Sequence, residues 1–185
     1  MKFVDSHCHL HDSRIISDIP WIEDRAKIAN VEYMVSCATM ETNFELTAQL
    51  SKDFDSILPC FGIHPWFVAS ISDKWKEYLE HYLLAYPSGI GETGLDYYRD
   101  RSKKEDQKRL FHQHLELAHK HNLPVIIHNR EASDDCLEIV RKYSGRVKGV
   151  IHCFAGSRED AKEFLELGFH ISFAGPVTFP KAENL

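Results

Sequence analysis

Seven short apolar runs, separated by amphipathic stretches and recurring roughly every 25–30 residues, constrain this chain more than any other feature. The first ends at His9; the others span residues 31–39, 56–64, 89–95, 124–128, 148–154 and 168–174. Helical spacing is expected over 19–29, 41–52, 72–86, 103–121, 132–143 and 157–167. Trp75, Leu79, Tyr82 and Leu83 recur at core spacing on the third helix, and Phe44, Leu46, Ala48 and Leu50 mark the buried side of the second. Pro20 suits a first helical turn, Ser133 or Asp134 starts the fifth helix and Gly145 follows its end. Ser157 caps the sixth, with Glu159 and Asp160 at its positive end, and Gly168 stops it. The run at 89–95 is too rich in glycine to read as strand throughout.

Strand–helix alternation of this kind predicts an α/β protein with a parallel sheet. A dinucleotide fold would carry a phosphate-binding glycine fingerprint after its first strand. Here that position holds His7-Cys8-His9-Leu10, so a TIM-type (β/α) barrel is favoured over an open doubly wound sheet.

The barrel directs attention to the C-terminal ends of strands, where active sites assemble. As a strand, the first run turns Asp5, His7 and His9 to one face and Val4, Ser6 and Cys8 to the other. Two imidazoles one pleat apart suit a divalent cation, although a lone His-x-His suits hydrogen-bonded strand histidines as well. Later runs decide between these readings. Glu92 ends the fourth, His128 the fifth and His152 the sixth, and His64 ends the third in the same way. His112, His114, His119 and His121 lie on a helix far from any strand end and read as surface or partly buried residues.

Net charge is −6, so a polyanion would have to be met by a local basic patch or by bound cations. Arg99, Arg101, Lys103 and Lys104 could supply such a patch, but Asp100, Glu105 and Asp106 interleave with them, as on a solvated helix start. Tyr97, Tyr98, Trp66 and Phe67 near strand ends could stack on bases. Arg130, two residues after His128, is the better phosphate contact. The five cysteines are odd in number and include no C-x-x-C pair, no apolar run reaches a membrane span, and Asp5 and His7 interrupt any signal-peptide core. These features are expected of a cytoplasmic protein without disulfides or a membrane partner.

Five segments resemble the TatD family of metal-dependent deoxyribonucleases: His7-Cys8-His9, Gly62-Ile63-His64-Pro65, Gly91-Glu92-Thr93-Gly94-Leu95-Asp96-Tyr97, Ile127-His128 with Arg130, and His152-Cys153-Phe154-Ala155-Gly156. The resemblance runs through all 185 residues. It implies two divalent metal ions (magnesium, zinc or manganese) and hydrolysis of DNA phosphodiester bonds, by 3′–5′ exonuclease action on single strands. His7, His9, Glu92, His128 and His152 are then metal ligands, with Glu92 the bridging carboxylate. His64 faces the scissile phosphate, and Glu92 and His64 are the catalytic candidates. His64, Arg130 and Tyr97 are the substrate-contact candidates.

The family's eighth strand ends in Glu-Thr-Asp-x-Pro-Tyr, whose aspartate completes the metal site, and these 185 residues do not contain that motif. A single domain, 1–185, is therefore expected to hold seven of the eight strand–helix units, with an open seam between first and last strands. The same metal scaffold could also serve a small-molecule amidohydrolase or lactonase, and a truncated chain could be a non-catalytic metal-binding protein.

Overall fold

The computed structural model describes residues 1–99, 103–180 and Ala182. Arg101 of the basic run lies outside the described residues. Strands and helices alternate as β1 (Phe3–Cys8), α1 (Ile19–Ile28), β2 (Val31–Cys37), α2 (Phe44–Asp53), β3 (Ile57–Phe61), α3 (Trp75–Ala85) and β4 (Gly89–Asp96). They continue as α4 (Lys104–His121), β5 (Val125–Arg130), α5 (Ser133–Arg141), β6 (Gly149–His152), α6 (Arg158–Glu166) and β7 (His170–Ile171). The strands form one parallel sheet in the order β1-β2-β3-β4-β5-β6-β7. The result is a TIM-like half-barrel with β1 and β7 at its edges. β1 approaches β6 across the interior.

Local chemistry explains most boundaries. Pro20 sits in the first turn of α1, where its missing N–H is not needed. The Ser157 hydroxyl accepts from the Asp160 N–H at 3.1 Å while the Asp160 carboxylate accepts from the Ser157 N–H at 3.0 Å, a reciprocal cap that starts α6. Trp75, Leu79, Tyr82 and Leu83 are all buried on α3, as their spacing predicts. On α2 the buried set is Phe44, Thr47, Ala48 and Leu50, and Leu46 is exposed. Leu46 lies too far round the 100° helical wheel from Phe44 to share its face.

Parity along the strands places the site. Val125, Ile127 and Ile151 pack into the main core with Phe111, Leu115 and Phe164 of the surrounding helices. Ile126 and Val150 take the other face, where Cys37 and Cys60 complete a small inner cluster. His128 and His152 follow Ile126 and Val150 by two residues, so the same inward face that is apolar below carries imidazoles at its C-terminal end. All five cysteines are free. No helix among the described residues is long and apolar enough to cross a membrane.

Two further expectations change here. β4 is a strand along its whole length, Gly89–Asp96. Its glycines mark close approach and not a break. Gly94 pairs with His128, has φ +135°, and a Cβ added to it would lie 2.0 Å from the His128 carbonyl oxygen. Gly94→Ala is therefore expected to cost about 3 kcal/mol or more, by forcing β4 from β5 at a candidate ligand. Urea denaturation of the variant checks this.

The second change is His114, which is fully buried. Its Nδ1–H donates to the Leu110 carbonyl at 2.8 Å, its Nε2 accepts the Ile63 N–H at 3.1 Å, and its ring stacks on Trp75. Both ring nitrogens are used in the neutral form, so α4 is tied to the residues just after β3. Burial pushes its pKa down to about 4. The unfolded chain takes up this proton near pH 6.5 and the folded chain only near 4. The stabilisation is therefore full above 6.5 and is lost as pH falls towards 4. Between pH 7.5 and 5 this amounts to about 2 kcal/mol. His114→Gln is expected to flatten the pH dependence of unfolding by about that much.

Candidate metal centre

Glu92 is the centre of the cluster. It is 2% exposed, on β4, and its two oxygens serve two groups of histidines. Oε2 lies 3.0 Å from His7 Nε2 and 3.1 Å from His9 Nε2, both from the end of β1. Oε1 lies 2.9 Å from His128 Nδ1 on β5, 2.6 Å from His152 Nε2 on β6, and 3.5 Å from His64 Nε2. His128 Nδ1 and His152 Nε2 are 3.3 Å apart, and the rings of His7 and His152 stack at 3.8 Å. All five histidines expected at the site thus meet one buried carboxylate. Asp5, expected on the same face as His7 and His9, does not join them. It is exposed and accepts the His7 backbone N–H, because β1 loses its regular register between Asp5 and Cys8.

Hydrogen bonds on the far side of the His9, His128 and His64 rings fix which nitrogen faces inward. His9 Nδ1 lies 2.8 Å from the Cys37 carbonyl oxygen, which can only accept, so Nδ1 carries the proton. His128 Nε2 lies 2.9 Å from Asp96 Oδ2, an acceptor at neutral pH. Neutral His9 and His128 therefore aim lone pairs at the Glu92 oxygens. Two acceptors at about 3 Å require a proton or a metal ion between them. Donors bound to one zinc-like ion at about 2.1 Å each lie about this far apart, so the residues present fit divalent cations. Two groups of three donors are compact enough to hold an ion: His7, Glu92 and His152, and His64, Glu92 and His128.

His64 differs from the rest. Its Nδ1 accepts the Trp66 backbone N–H at 3.1 Å, so the neutral ring carries its proton on Nε2. It presents a donor to the centre where neutral His9 and His128 present lone pairs.

The electrostatics follow the same geometry. Burial alone would raise the Glu92 carboxyl, but hydrogen bonds from His128, His152, His64 and His7 outweigh it and hold the group well below the usual carboxylate range. Burial works against charge on His128, yet Asp96 and Glu92 pull its pKa up to about 9. A proton shared there stands where a metal ion would. Burial pushes His64 and His152 down, with Glu92 opposing it only in part.

Asp96 is a site residue that strand-end reasoning missed. It is fully buried, and its Oδ2 accepts from both His128 Nε2 and Trp66 Nε1, the latter at 2.7 Å. Oδ1 accepts the Arg99 backbone N–H at 2.9 Å. These bonds hold its carboxyl below the usual range although burial opposes them. The signal was present in the sequence: Glu92, Gly94 and Asp96 alternate on one strand, so both carboxylates reach the His128 ring from either side of a residue without a side chain.

Tyr97 is corrected in turn. It is only 7% exposed, its hydroxyl donates to Asp135 Oδ2 at 2.6 Å, and the Lys104 ammonium lies 4.9 Å over its ring, so it sits against the helical layer and not at the open rim. Arg130 stands exposed at the rim, its guanidinium 3.7 Å over the Tyr98 ring. Of the basic run, Lys104 is paired with Asp135 at 2.7 Å, and Arg99 lies over Trp66.

The comparisons with known proteins agree with this geometry. Residues 4–185 match the family described as TatD related DNase. The uncharacterized metal-dependent hydrolase YabD of Bacillus subtilis is 35% identical over 185 residues, covering 97% of this chain and 71% of its own length. The uncharacterized metal-dependent hydrolase YcfH of Escherichia coli is 36% identical over 193 residues, covering 100% and 71%. The crystal structure of the TatD homologue YjjV from Escherichia coli superimposes with a TM-score of 0.91 at 32% identity, over 97% of this chain and 71% of that one. A matched family model over nearly every residue, and the same path of strands and helices in a solved relative, leave one assignment: the chain belongs to the TatD-related DNase family of metal-dependent hydrolases.

Proposed function

We propose that this chain hydrolyses phosphodiester bonds of single-stranded DNA from the 3′ end, using two divalent ions. The observation that carries the reading is the division of one buried carboxylate between two histidine sets. Glu92 Oε2 faces His7 and His9, and Oε1 faces His128 and His152. Glu92 with these four histidines would hold the two cations. Bound ions supply an activated water and offset the charge of the phosphodiester. An imidazole-rich set with one carboxylate suits zinc or manganese, while magnesium, which the family likeness also allows, prefers oxygen donors.

The remaining steps belong to the chain. Asp96 fixes the His128 ring so that its Nδ1 lone pair faces the centre. The Trp66 N–H fixes the His64 ring so that its Nε2–H faces the same centre. His64 thereby donates to an oxygen of the scissile phosphate and steadies the charge that builds on it. Arg130, at the rim beyond His128, supplies a further cation for the substrate backbone.

The test uses a 5′-labelled single strand, a duplex of the same sequence, and amide and lactone substrates, each with magnesium, zinc or manganese added. A ladder shortening from the 3′ end of the single strand supports the proposal. Turnover confined to the carbonyl substrates overturns it in favour of an amidohydrolase.

A further inference from the structure

Beside the ligand cluster lies a cleft of about 510 Å³ lined by the turn that follows β3 and by Arg99, Lys103 and Gln107. Pro65, Trp66, Phe67 and Val68 line one side, and Arg99 and Lys103 the other. Trp66 keeps 42% of its surface exposed, yet its indole N–H is held by Asp96 Oδ2. The ring is fixed while much of its surface stays exposed. The Arg99 guanidinium lies 4.2 Å over that ring, and the Arg99 backbone N–H is held by the other oxygen of Asp96. One buried carboxylate therefore holds the Trp66 ring and the Arg99 backbone and also orients His128. The Trp66 ring stands 4.7 Å from the His64 ring and 6.5 Å from the His128 ring, so the Trp66 wall of the cleft borders the candidate reaction centre.

The charges here are poised for an anion. Among the described residues neither Arg99 nor Lys103 has a carboxylate partner, whereas neighbouring Lys104 and Lys108 are both paired with Asp135. Cations without a carboxylate partner among the described residues, beside a fixed and partly exposed aromatic stack, match the two halves of a nucleotide: a flat base and a phosphate.

We propose that the cleft walled by Trp66, Arg99 and Lys103 is the subsite for a nucleotide flanking the scissile phosphate. Its base extends the Arg99–Trp66 stack, and Lys103 with the edge of the guanidinium takes its phosphate. The inference rests on the phosphodiesterase reading of the adjoining centre. It adds that the enzyme grips its strand through bases as well as backbone, without reading their sequence, because every base has a stacking face.

The test compares oligothymidylate with an abasic strand of equal length and equal phosphate count, using the metal-loaded full chain. Binding is followed by tryptophan fluorescence, and cleavage is measured separately. Oligothymidylate is expected to quench the fluorescence and to bind roughly tenfold more tightly than the abasic strand. The quench and the preference disappear in Trp66→Leu, and the preference falls severalfold in Arg99→Ala, with metal content checked in each. Should Trp66→Leu fail to fold, Arg99→Ala decides alone. Equal affinity of the wild type for both strands, or a preference that survives the substitutions, overturns the subsite. Base-dependent binding without cleavage of any phosphodiester upholds the subsite and removes the hydrolytic reading. Cleavage without base preference does the reverse.

Discussion

In the Glu92→Gln variant, divalent metal ions are expected no longer to raise the melting temperature. Wild-type chain at a hundred times the metal Kd should gain about 2.7 kcal/mol, or about 5–10 °C for a chain of this size. Glutamine keeps the volume of Glu92 but loses its charge and one acceptor oxygen. It can face one histidine set as a carbonyl but must offer an amide N–H₂ to the other. That N–H₂ suits the inward lone pairs of His9 or His128 as a hydrogen-bond donor, so the metal-free protein stays folded. Metal affinity should fall by more than about 100-fold, beyond the loss usual for an outer-shell partner. Catalysis should fall with it. Isothermal titration and elemental analysis check the first claim, and turnover of bis-p-nitrophenyl phosphate the second. Full metal occupancy in the variant would show that Glu92 does not join the two histidine sets through cations.

Asp96→Asn is expected to have the next largest effect, although Asp96 is placed to touch neither metal nor substrate. It acts through His128, as a positioning residue. The ring can bind a cation through Nδ1 only while Nε2 keeps its proton, and the Asp96 carboxylate is what holds that proton there. Asparagine offers one acceptor where the carboxylate serves His128, Trp66 and the Arg99 N–H. Metal affinity or activity should fall about 10–100-fold. Nitrogen-15 chemical shifts of the metal-loaded protein provide a readout that a merely structural role would not move: the wild-type His128 ring should show its proton on Nε2, and the variant a mixture of both tautomers. An unchanged tautomer with intact metal affinity would reduce Asp96 to a packing role.

Much of this fold was legible because its signals are local. A strand needs only a short apolar run and a helix only a 3.6-residue period, and both survive without tertiary context. Trp75, Leu79, Tyr82 and Leu83 were read correctly for that reason. Where the decisive contact is distant, local rules failed. The glycines of β4 resemble strand breakers until the His128 carbonyl is seen against Gly94. His114 resembles a surface histidine until the Ile63 N–H and Trp75 are placed around it. Tyr97 resembles a rim aromatic until Asp135 is found at its hydroxyl.

The sequence alone determined the alternation of strands and helices, the parallel α/β class and the residues that would stand at one mouth of the sheet. Those follow from chain periodicity, and periodicity is a property of neighbours. Only the tertiary structure decided which nitrogen of each histidine faces Glu92, that His64 brings a proton where His9 and His128 bring lone pairs, and that Asp96 holds His128 in place. A ring's protonated nitrogen is set by the partner on its far side, and here those partners lie on other strands or in loops that only the folded chain brings together.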